Sequence, residues 1–410
     1  MRKIPTIEAP SYSERTVTIE DFLSVTKSAY NITATKSGLM PERLAVQKVA
    51  SLPSSQVDKL FFENGSLFAY TKDGQLLEFD GKAWVKVLDC DSTPKISRVL
   101  VDGEWRGLCC TENSSRVFTK TSNVEEDIPY GDVYENFKYR LFVGKDNVIK
   151  YSAFADRTKF NGTSDSGALY TDILYGKIVG MFSQKDKLVV VCEKTIYHLY
   201  IANGTSGFSL VKQDVDLDLT ENSVVALDGK VYMLNRKEFC VYDGSDVKKV
   251  QTLTDLSDYS FKSQPCAIAG AIYFVVSNGV EDNLFVYDCI NQTDMLMPSF
   301  ENLTSEGYLI NDKGVYKLKP REQDGDALWE SVPLDLASPY KKALMRFSVR
   351  AEGRLDIDVI GTYSKSTFKF EGSGVAIMNI PSYAYKIVIR LNSKAKVQNM
   401  KFVYRIKEER

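Results

Sequence analysis

The chain repeats one pattern, in which a short aromatic-rich strand ends in a polar turn and a second strand follows, at intervals of roughly forty residues. The seven stretches are Lys59–Tyr70, Val99–Phe118, Tyr139–Tyr151, Leu188–Tyr200, Lys230–Tyr242, Ala271–Tyr287 and Tyr308–Leu318. A period of ~40–50 residues made only of strands and turns is typical of β-propeller blades. Each blade is a small antiparallel sheet that must stack on its neighbours to bury both faces. The sequence therefore predicts an all-β fold containing a β-propeller of about seven blades.

The clearest single unit covers residues 59–88. It contains four short strands separated by Asn64-Gly65, Asp73-Gly74 and Asp80-Gly81. Asn-Gly and Asp-Gly pairs tolerate the positive φ angles of tight hairpin turns. Four strands joined by three such turns make one propeller blade, and later units repeat the theme with longer loops.

The N-terminal residues differ from the repeat. Residues 1–55 are rich in Ser, Thr, Ala and Pro, with a brief helix predicted around Ile19–Ala29. This segment is interpreted either as a loosely packed lead-in or as an extended arm that lies on a neighbouring subunit. The repeat itself is assigned to residues 56–336.

The C-terminal residues 337–410 contain longer strands with clear alternation. Phe347, Val349 and Ala351 are expected to face one way, while the intervening polar residues face the other. This pattern predicts a C-terminal antiparallel module that resembles a β-sandwich or packs as a sheet against the propeller.

Composition narrows the possible partners and compartments. Of the 410 residues 44% are hydrophobic, which is enough for a core, and the net charge of −2 indicates no general attraction to nucleic-acid phosphates. No apolar run approaches the ~18 residues of a membrane helix, so no membrane partner is expected. The N-terminus lacks the apolar region of a signal peptide. The seven cysteines are irregularly spaced without a CxxC pair, which favours free thiols in a cytoplasm and no zinc site.

Motifs for catalysis are missing from the sequence. The chain has one histidine, His198, on a predicted strand, where a packed structural residue is the usual finding. No GxSxG, HExxH or GxxxxGK[ST] pattern occurs. We therefore expect no enzyme activity, no catalytic residue and no cofactor.

One acidic segment carries the candidate metal ligands. Asp214, Asp216 and Asp218 are spaced by two, which places their carboxylates on one face of a predicted strand. Carboxylates so placed could hold a hard cation such as Ca²⁺. No glycine supplies the sharp turn of a calcium loop, so a solvated strand face is the favoured interpretation.

A second segment raises an alternative function. Residues Thr163–Tyr170 resemble the Asp-box turn of sialidase-type propellers. In that family the box is a structural hairpin repeated in several blades, whereas here one imperfect copy occurs, so a plain loop is favoured. The resemblance nevertheless keeps a glycan-binding or sialidase-like propeller as the alternative.

The middle of the chain carries a more informative pattern. Residues Tyr139–Gly144 read as an RLF-V strand, Asn147–Ala153 as a strand ending in Y-S-A, and Asp156–Phe160 as D-x-x-x-F. This order resembles virion propeller proteins of tailed bacteriophages, including tail nozzle proteins and proteins that stabilise packaged DNA. The resemblance is clearest over residues 135–250.

The resemblance implies a function that needs no catalytic residue. It implies a structural component of a phage tail or neck that forms a homo-oligomeric ring around the DNA conduit. The expected partners are other copies of the chain, neighbouring tail or neck proteins and passing genomic DNA, bound without sequence specificity. The expected location is the virion, after assembly in the host cytoplasm.

Overall fold

The computed structural model describes most of the chain and is almost entirely β. The residues described are 12–20, 22, 26–30, 32–35, 38–41, 46–53, 56–63, 65–118, 123–201, 207–221, 223–252, 254, 256–262, 265–280, 282–289, 293–298, 302–304, 306–311, 313–319, 327–392 and 394–407. They form forty strands and a 3-10 turn at Ile173–Tyr175. Asn64, in a predicted turn, lies outside the described residues.

Five strands precede the repeat. They are β1 (Tyr12–Ile19), β2 (Thr26–Tyr30), β3 (Ile32–Thr35), β4 (Gly38–Pro41) and β5 (Val46–Ala50).

The repeat forms blades 1 to 7 in chain order. Blade 1 contains β6 (Val57–Glu63), β7 (Ser66–Thr71), β8 (Gln75–Phe79) and β9 (Trp84–Asp89). Blade 2 contains β10 (Lys95–Val101), β11 (Glu104–Cys110), β12 (Ser115–Phe118) and β13 (Asn123–Glu125). Blade 3 contains β14 (Val133–Phe137), β15 (Arg140–Lys145), β16 (Val148–Tyr151) and β17 (Gly167–Tyr170). Blade 4 contains β18 (Ile178–Ser183), β19 (Leu188–Cys192), β20 (Ile196–Ile201) and β21 (Phe208–Lys212).

The last three blades follow the same plan with shorter first strands. Blade 5 contains β22 (Val224–Leu227), β23 (Lys230–Asn235), β24 (Glu238–Tyr242) and β25 (Val247–Lys249). Blade 6 contains β26 (Ser260–Phe261), β27 (Cys266–Ile268), β28 (Ala271–Ser277), β29 (Asp282–Asp288) and β30 (Thr293–Pro298), with β26 and β27 both paired to β28. Blade 7 contains β31 (Asn302–Leu303), β32 (Tyr308–Asn311) and β33 (Gly314–Leu318).

The seven blades close into a ring. Successive first strands contact one another from β6 to β27, β28 contacts β31, and β31 contacts β6. Seven of the eight apolar clusters among the described residues each join two adjacent blades. Stacking therefore buries both faces of every blade, as the repeat predicted.

Ring closure uses a strand from before the repeat. β5 pairs antiparallel with β33 and supplies the fourth strand of blade 7. Val315 lies opposite Ala50, and both belong to the apolar cluster that joins blades 7 and 1. The two ends of the propeller sequence are thus held in one sheet.

The remaining strands build a sandwich. They are β34 (Ala327–Ser331), β35 (Lys342–Glu352), β36 (Arg354–Ile360), β37 (Lys365–Glu371), β38 (Gly374–Ser382), β39 (Lys386–Leu391) and β40 (Lys396–Lys407). One sheet has the order β3-β4-β40-β35-β38, with β1 also paired to β40. The second contains β2-β34-β39-β36-β37 and continues into blade 6, because β2 pairs in parallel with β30. The core of the sandwich includes Phe347, Val349 and Ala351, on the side that alternation predicted.

The N-terminal segment is extended, but its described strands pair within their own chain rather than forming a separate unit. β1, β3 and β4 join the first sandwich sheet, β2 joins the second, and β5 joins blade 7. The predicted helix around Ile19–Ala29 is wrong where the structure describes it, because Thr26–Tyr30 is a strand. The sheets also cut across the predicted divisions 1–55, 56–336 and 337–410, since β34 belongs to the sandwich. Local composition could not reveal these pairings, which join distant parts of the chain.

Turn geometry agrees with part of the sequence pattern. Gly65, Gly74 and Gly81 all have positive φ, near 80° to 100°. Three further turns, Lys138-Tyr139, Arg236-Lys237 and Leu336-Ala337, have positive φ at both residues without Asn, Asp or Gly. In blades 1 to 6, one connection joins the first strand to the second and another joins the third strand to the fourth. Both connections lie at the same end of the ring, and we call this end the hairpin face.

Candidate functional site

The phage-like pattern forms one interlocked corner of blade 3, centred on Arg140. This side chain is 1% exposed, and its Nη1 donates to the carbonyls of Ser152 and Asp165, each at 2.6 Å. The amide of Leu141 donates to the Ser152 hydroxyl (2.9 Å). The Ala153 amide donates to a carbonyl of the following turn (2.8 Å). The pattern residues therefore contact one another, and a buried cation holds them together.

The Asp-box-like turn belongs to the same corner. Nη2 of Arg140 lies 3.4 Å from Oδ2 of Asp165. The amide of Phe154 donates to the same oxygen (2.9 Å) and holds the pKa of this carboxyl below its usual range. Asp165 thus anchors the loop between β16 and β17.

The three candidate metal ligands lie on an extended segment after β21. Asp214, Asp216 and Asp218 are exposed, whereas the alternate residues Leu217 and Leu219 pack between blades 4 and 5. Asp216 forms an ion pair with an arginine of the β23–β24 turn. Among the residues described, no group of three metal-ligating side chains lies close enough to hold an ion.

His198 is buried between blades 4 and 5. The Tyr242 hydroxyl lies 2.8 Å from Nε2 and the Tyr200 hydroxyl lies 3.3 Å from Nδ1. Nζ of Lys187 lies 3.3 Å from Nε2. Burial and then the positive charge of Lys187 lower the pKa of His198 to about 4. The ring is therefore neutral near pH 7 and connects two blades through hydrogen bonds.

All seven cysteines are free thiols. Cys109 and Cys110 are buried in β11 and face opposite blade junctions, towards blades 1 and 3. Burial raises the pKa of Cys110 and of Cys192 to about 12, so these thiols stay protonated and pack as small apolar groups.

The hairpin face carries a cluster that the sequence did not single out. Trp105, Tyr139 and Phe154 are all large aromatic residues and at least 44% exposed. Arg157 lies among them, 7% exposed, with its guanidinium carbon 6.0 Å from the Trp105 ring centre. The Asp-Gly pair before Trp105 predicts a tight turn, and it could have been used to place Trp105 at an end of the ring. No local signal marks Arg157, because its burial depends on a residue of another blade.

A second exposed apolar group lies after β17, near the opposite end of the ring. Tyr170, Ile173 and Leu174 are 68%, 75% and 72% exposed. Asp172 caps the intervening 3-10 turn, because its side chain accepts from the Leu174 amide (3.0 Å). The turn therefore presents two aliphatic side chains directly to solvent.

Among the described residues, no helix has the length and apolar character needed to cross a membrane.

No protein-family model and no curated protein matches the chain. The extracellular domain of the putative one component system BT4673 from B. thetaiotaomicron is 14% identical, with a TM-score of 0.46, covering 74% of this chain and 43% of that one. BBS1N, solved in complex with ARL6DN, is 14% identical, with a TM-score of 0.46 and coverage of 69% and 96%. The AfRom2 CNH domain is 8% identical, with a TM-score of 0.44 and coverage of 67% and 98%. At these identities the likeness concerns fold alone.

Proposed function

We propose that the chain is a non-enzymatic structural component of a tailed-phage tail or neck, assembled as a homo-oligomeric ring around the DNA conduit. The observation that carries the proposal is the blade 3 corner. Its sequence resembles phage virion propellers, and the contacts of Arg140 and Ser152 account for the pattern as a structural unit. A rigid, interlocked corner fits a protein whose role is to contact neighbouring proteins.

The exposed apolar group supports subunit contacts. Ile173 and Leu174 stand on a capped turn, so their positions are defined before any partner binds. Exposed apolar groups on a rigid element are typical of interaction surfaces. Under cyclic symmetry such a group would contact a different surface of the next subunit.

The charge of the chain suits a conduit wall. A net charge of −2 gives no general attraction to DNA phosphates, so passing DNA would not be retained. The proposed partners are therefore other copies of the chain and neighbouring tail or neck proteins.

The direct test measures assembly and location together. Light scattering of the purified protein across a concentration series should reveal a closed oligomer, and mass spectrometry should detect the chain in purified particles of the phage that encodes it. A protein that stays monomeric and is missing from the particles would contradict the proposal.

A matched pair of variants tests the contact surface. Leu174→Asp should lower the fraction of assembled protein, because a charge would be buried in the contact. Val280→Asp changes an 88% exposed residue of blade 6 and should leave assembly unchanged. Equal assembly of both variants would remove the residue 170–174 group from the interface.

A further inference from the structure

The outer face of the first sandwich sheet carries a group of exposed cations, which we call the cation row. They lie on the neighbouring strands β35 and β40 and are Arg346, Arg350, Lys401 and Arg405. The alternate residues Phe347 and Phe402 are buried in the sandwich core, so the cationic side chains point away from it. Among the described residues, none of these cations forms an ion pair. The row is therefore open to an anionic partner.

The pairing of β35 with β40 spaces the cation row evenly. At successive levels two residues apart along β40, the row consists of Arg350 opposite Asn399, then Lys401, then Arg346 opposite Val403, then Arg405. Two residues of a strand span about 7 Å, so the cations follow one another at about that interval. Their partners across the two strands are uncharged and are Asn399, Ser348, Val403 and Ala343. The row is thus a regular line of positive charge, with a carboxylate, Glu14 of β1, opposite its end at Arg405.

The segment Asp214–Asp218, which we call the acidic segment, carries carboxylates at the same interval. Asp214, Asp216 and Asp218 are exposed and two residues apart. The backbone is extended here, because the alternate amides of Leu217 and Leu219 donate to carbonyls of the turn between β19 and β20, at 3.2 and 2.9 Å. The carboxylates therefore follow one another about 7 Å apart. Asp216 pairs with an arginine of its own chain, whereas Asp214 and Asp218 form no ion pair among the described residues.

Exposed apolar side chains flank the cation row. Val375 and Ile377 of β38 are 62% and 85% exposed. Ile377 lies opposite Arg346, so these apolar residues stand on the same face of the sheet as the row. A shallow groove of about 430 Å³ lies beside Val375, and its lining includes Arg350 and Lys401. The face therefore offers positive charge and apolar contact side by side.

The acidic segment also has an apolar neighbour, the exposed turn Ile173–Tyr175. Lys194 joins the two, because its amide donates to the carbonyl of Tyr175 (3.1 Å) and its carbonyl accepts from the amide of Leu217 (3.2 Å). Nζ of Lys212 lies 4.7 Å from the ring centre of Tyr175, so this cation packs on the ring. Neither Lys194 nor Lys212 forms an ion pair with the acidic segment.

We propose that the acidic segment of one copy of the chain lies along the cation row of the next copy, with the turn Ile173–Tyr175 against Val375 and Ile377. The two surfaces match in interval, in charge and in their apolar neighbours, and both are exposed in the single chain. Such a contact is heterologous, which is the type that builds rings under cyclic symmetry. The inference rests on the ring assembly proposed above, and it names the surface that the residue 170–174 group contacts.

A nucleic-acid backbone is the competing partner for a line of cations, and the apolar residues argue against it. Phosphates would pair with the cations but leave Val375 and Ile377 exposed beside them. A second copy covers both kinds of residue, because its acidic segment and its turn Ile173–Tyr175 lie side by side.

Reversing the charge of each surface tests the contact. Arg346→Glu with Lys401→Glu reverses the cation row, and Asp214→Lys with Asp218→Lys reverses the acidic segment. Each double variant should assemble only at a concentration about tenfold higher or more, because like charges then face each other. Joining all of these substitutions in one chain should restore the assembly concentration to within about threefold, since the facing charges are opposite again. Light scattering across a concentration series measures each protein.

The matched control is Lys72→Glu with Lys82→Glu, which changes the net charge equally at exposed lysines of blade 1. It should leave assembly unchanged, and circular dichroism should show every variant folded like the unchanged protein. A single-stranded oligonucleotide, followed by fluorescence anisotropy, probes the competing partner.

The outcomes separate this contact from the ring itself. Equal assembly of the reversed and unchanged proteins, or no restoration in the combined variant, would overturn the contact while leaving the ring in place. An unchanged protein that stays monomeric would overturn both. Oligonucleotide binding that is lost on reversing the cation row, with assembly unaffected, would assign the row to nucleic acid instead.

Discussion

Single buried polar side chains hold the propeller corners, and Arg140 is the clearest case. Its guanidinium satisfies two carbonyls and pairs with Asp165, so removing it leaves buried acceptors without donors. We expect Arg140→Ala to lower the free energy of unfolding by about 3 kcal/mol, as measured by urea denaturation. Arg236→Ala removes an exposed ion pair and should cost less than about 1 kcal/mol. Equal losses would mean that Arg140 does not organise the corner.

His198 gives the fold a defined pH dependence. Its pKa in the folded protein, about 4, lies below the ordinary 6.5, so the unfolded chain binds the proton more readily. The free energy of unfolding should therefore be unaffected by this group above about pH 6.5 and decrease as the pH falls towards 4, by up to about 3 kcal/mol. The titratable groups that lie around the His198 ring are Lys187, Asp186, Tyr200 and Tyr242.

The control for this pH dependence is His198→Gln, which keeps a hydrogen-bonding group beside Tyr242 but does not titrate. Urea midpoints measured from pH 7 to pH 4.5 should fall less steeply for the variant. Parallel curves for the two proteins would show that His198 does not account for the loss.

At the residue level, the sequence could predict which side of a strand a residue faces, but not which residues it contacts. Alternation placed Phe347 in a core and the carboxylate of Asp216 on a solvated surface, because both follow from local periodicity. The burial of Arg140 depends on a loop, and Arg157 lies beside the aromatic ring of Trp105 on another strand. The spacing of residues in the sequence therefore does not reveal either contact.

Turns are the elements in which local chemistry and tertiary packing compete. Lys237 has φ of 64° in a two-residue turn that ordinarily takes Gly, whereas Gly103 has φ of 82° in a turn of the same length between β10 and β11 of blade 2. We expect Lys237→Gly to raise the free energy of unfolding by about 1 kcal/mol by removing strain. Gly103→Lys should lower it by a similar amount, since nothing lies near its added Cβ to cause a clash. Thermal unfolding measures both, and changes of the same sign would refute the strain argument.

Ring closure depends on the element β5 and on the space that Gly314 leaves for it. A Cβ on Gly314 would lie 2.6 Å from the Ala50 carbonyl oxygen, and φ at this glycine is 144°. Gly314→Ala should therefore lower the free energy of unfolding by roughly 1–3 kcal/mol more than Gly279→Ala, a positive-φ glycine with open space around its Cβ. Hydrogen exchange should also show faster opening of residues 46–50. Equal effects of the two variants would exclude strain at the closure.

On the scale of the whole molecule, the propeller and the sandwich each use strands from the N-terminal segment. The blade count followed from the sequence because each blade is a local unit joined by short turns. β5 pairs with β33 and β1 pairs with β40, so both pairs join residues that are far apart in the sequence. Local periodicity cannot predict such pairs. For the same reason the composition of residues 1–55 indicated an arm rather than strands shared between two modules.

This sharing predicts how the chain can be divided. A fragment of residues 46–319 contains all seven blades, whereas residues 56–319 lack β5 and leave blade 7 without its fourth strand. The longer fragment should be more stable by roughly 3 kcal/mol, because β5 adds ladder hydrogen bonds and buries Val49 and Ala50 at the junction of blades 7 and 1. Urea unfolding of the two fragments, followed by circular dichroism, measures the difference. Equal midpoints would mean that β33 does not need β5, and that the ring closes through the contact between β31 and β6 alone.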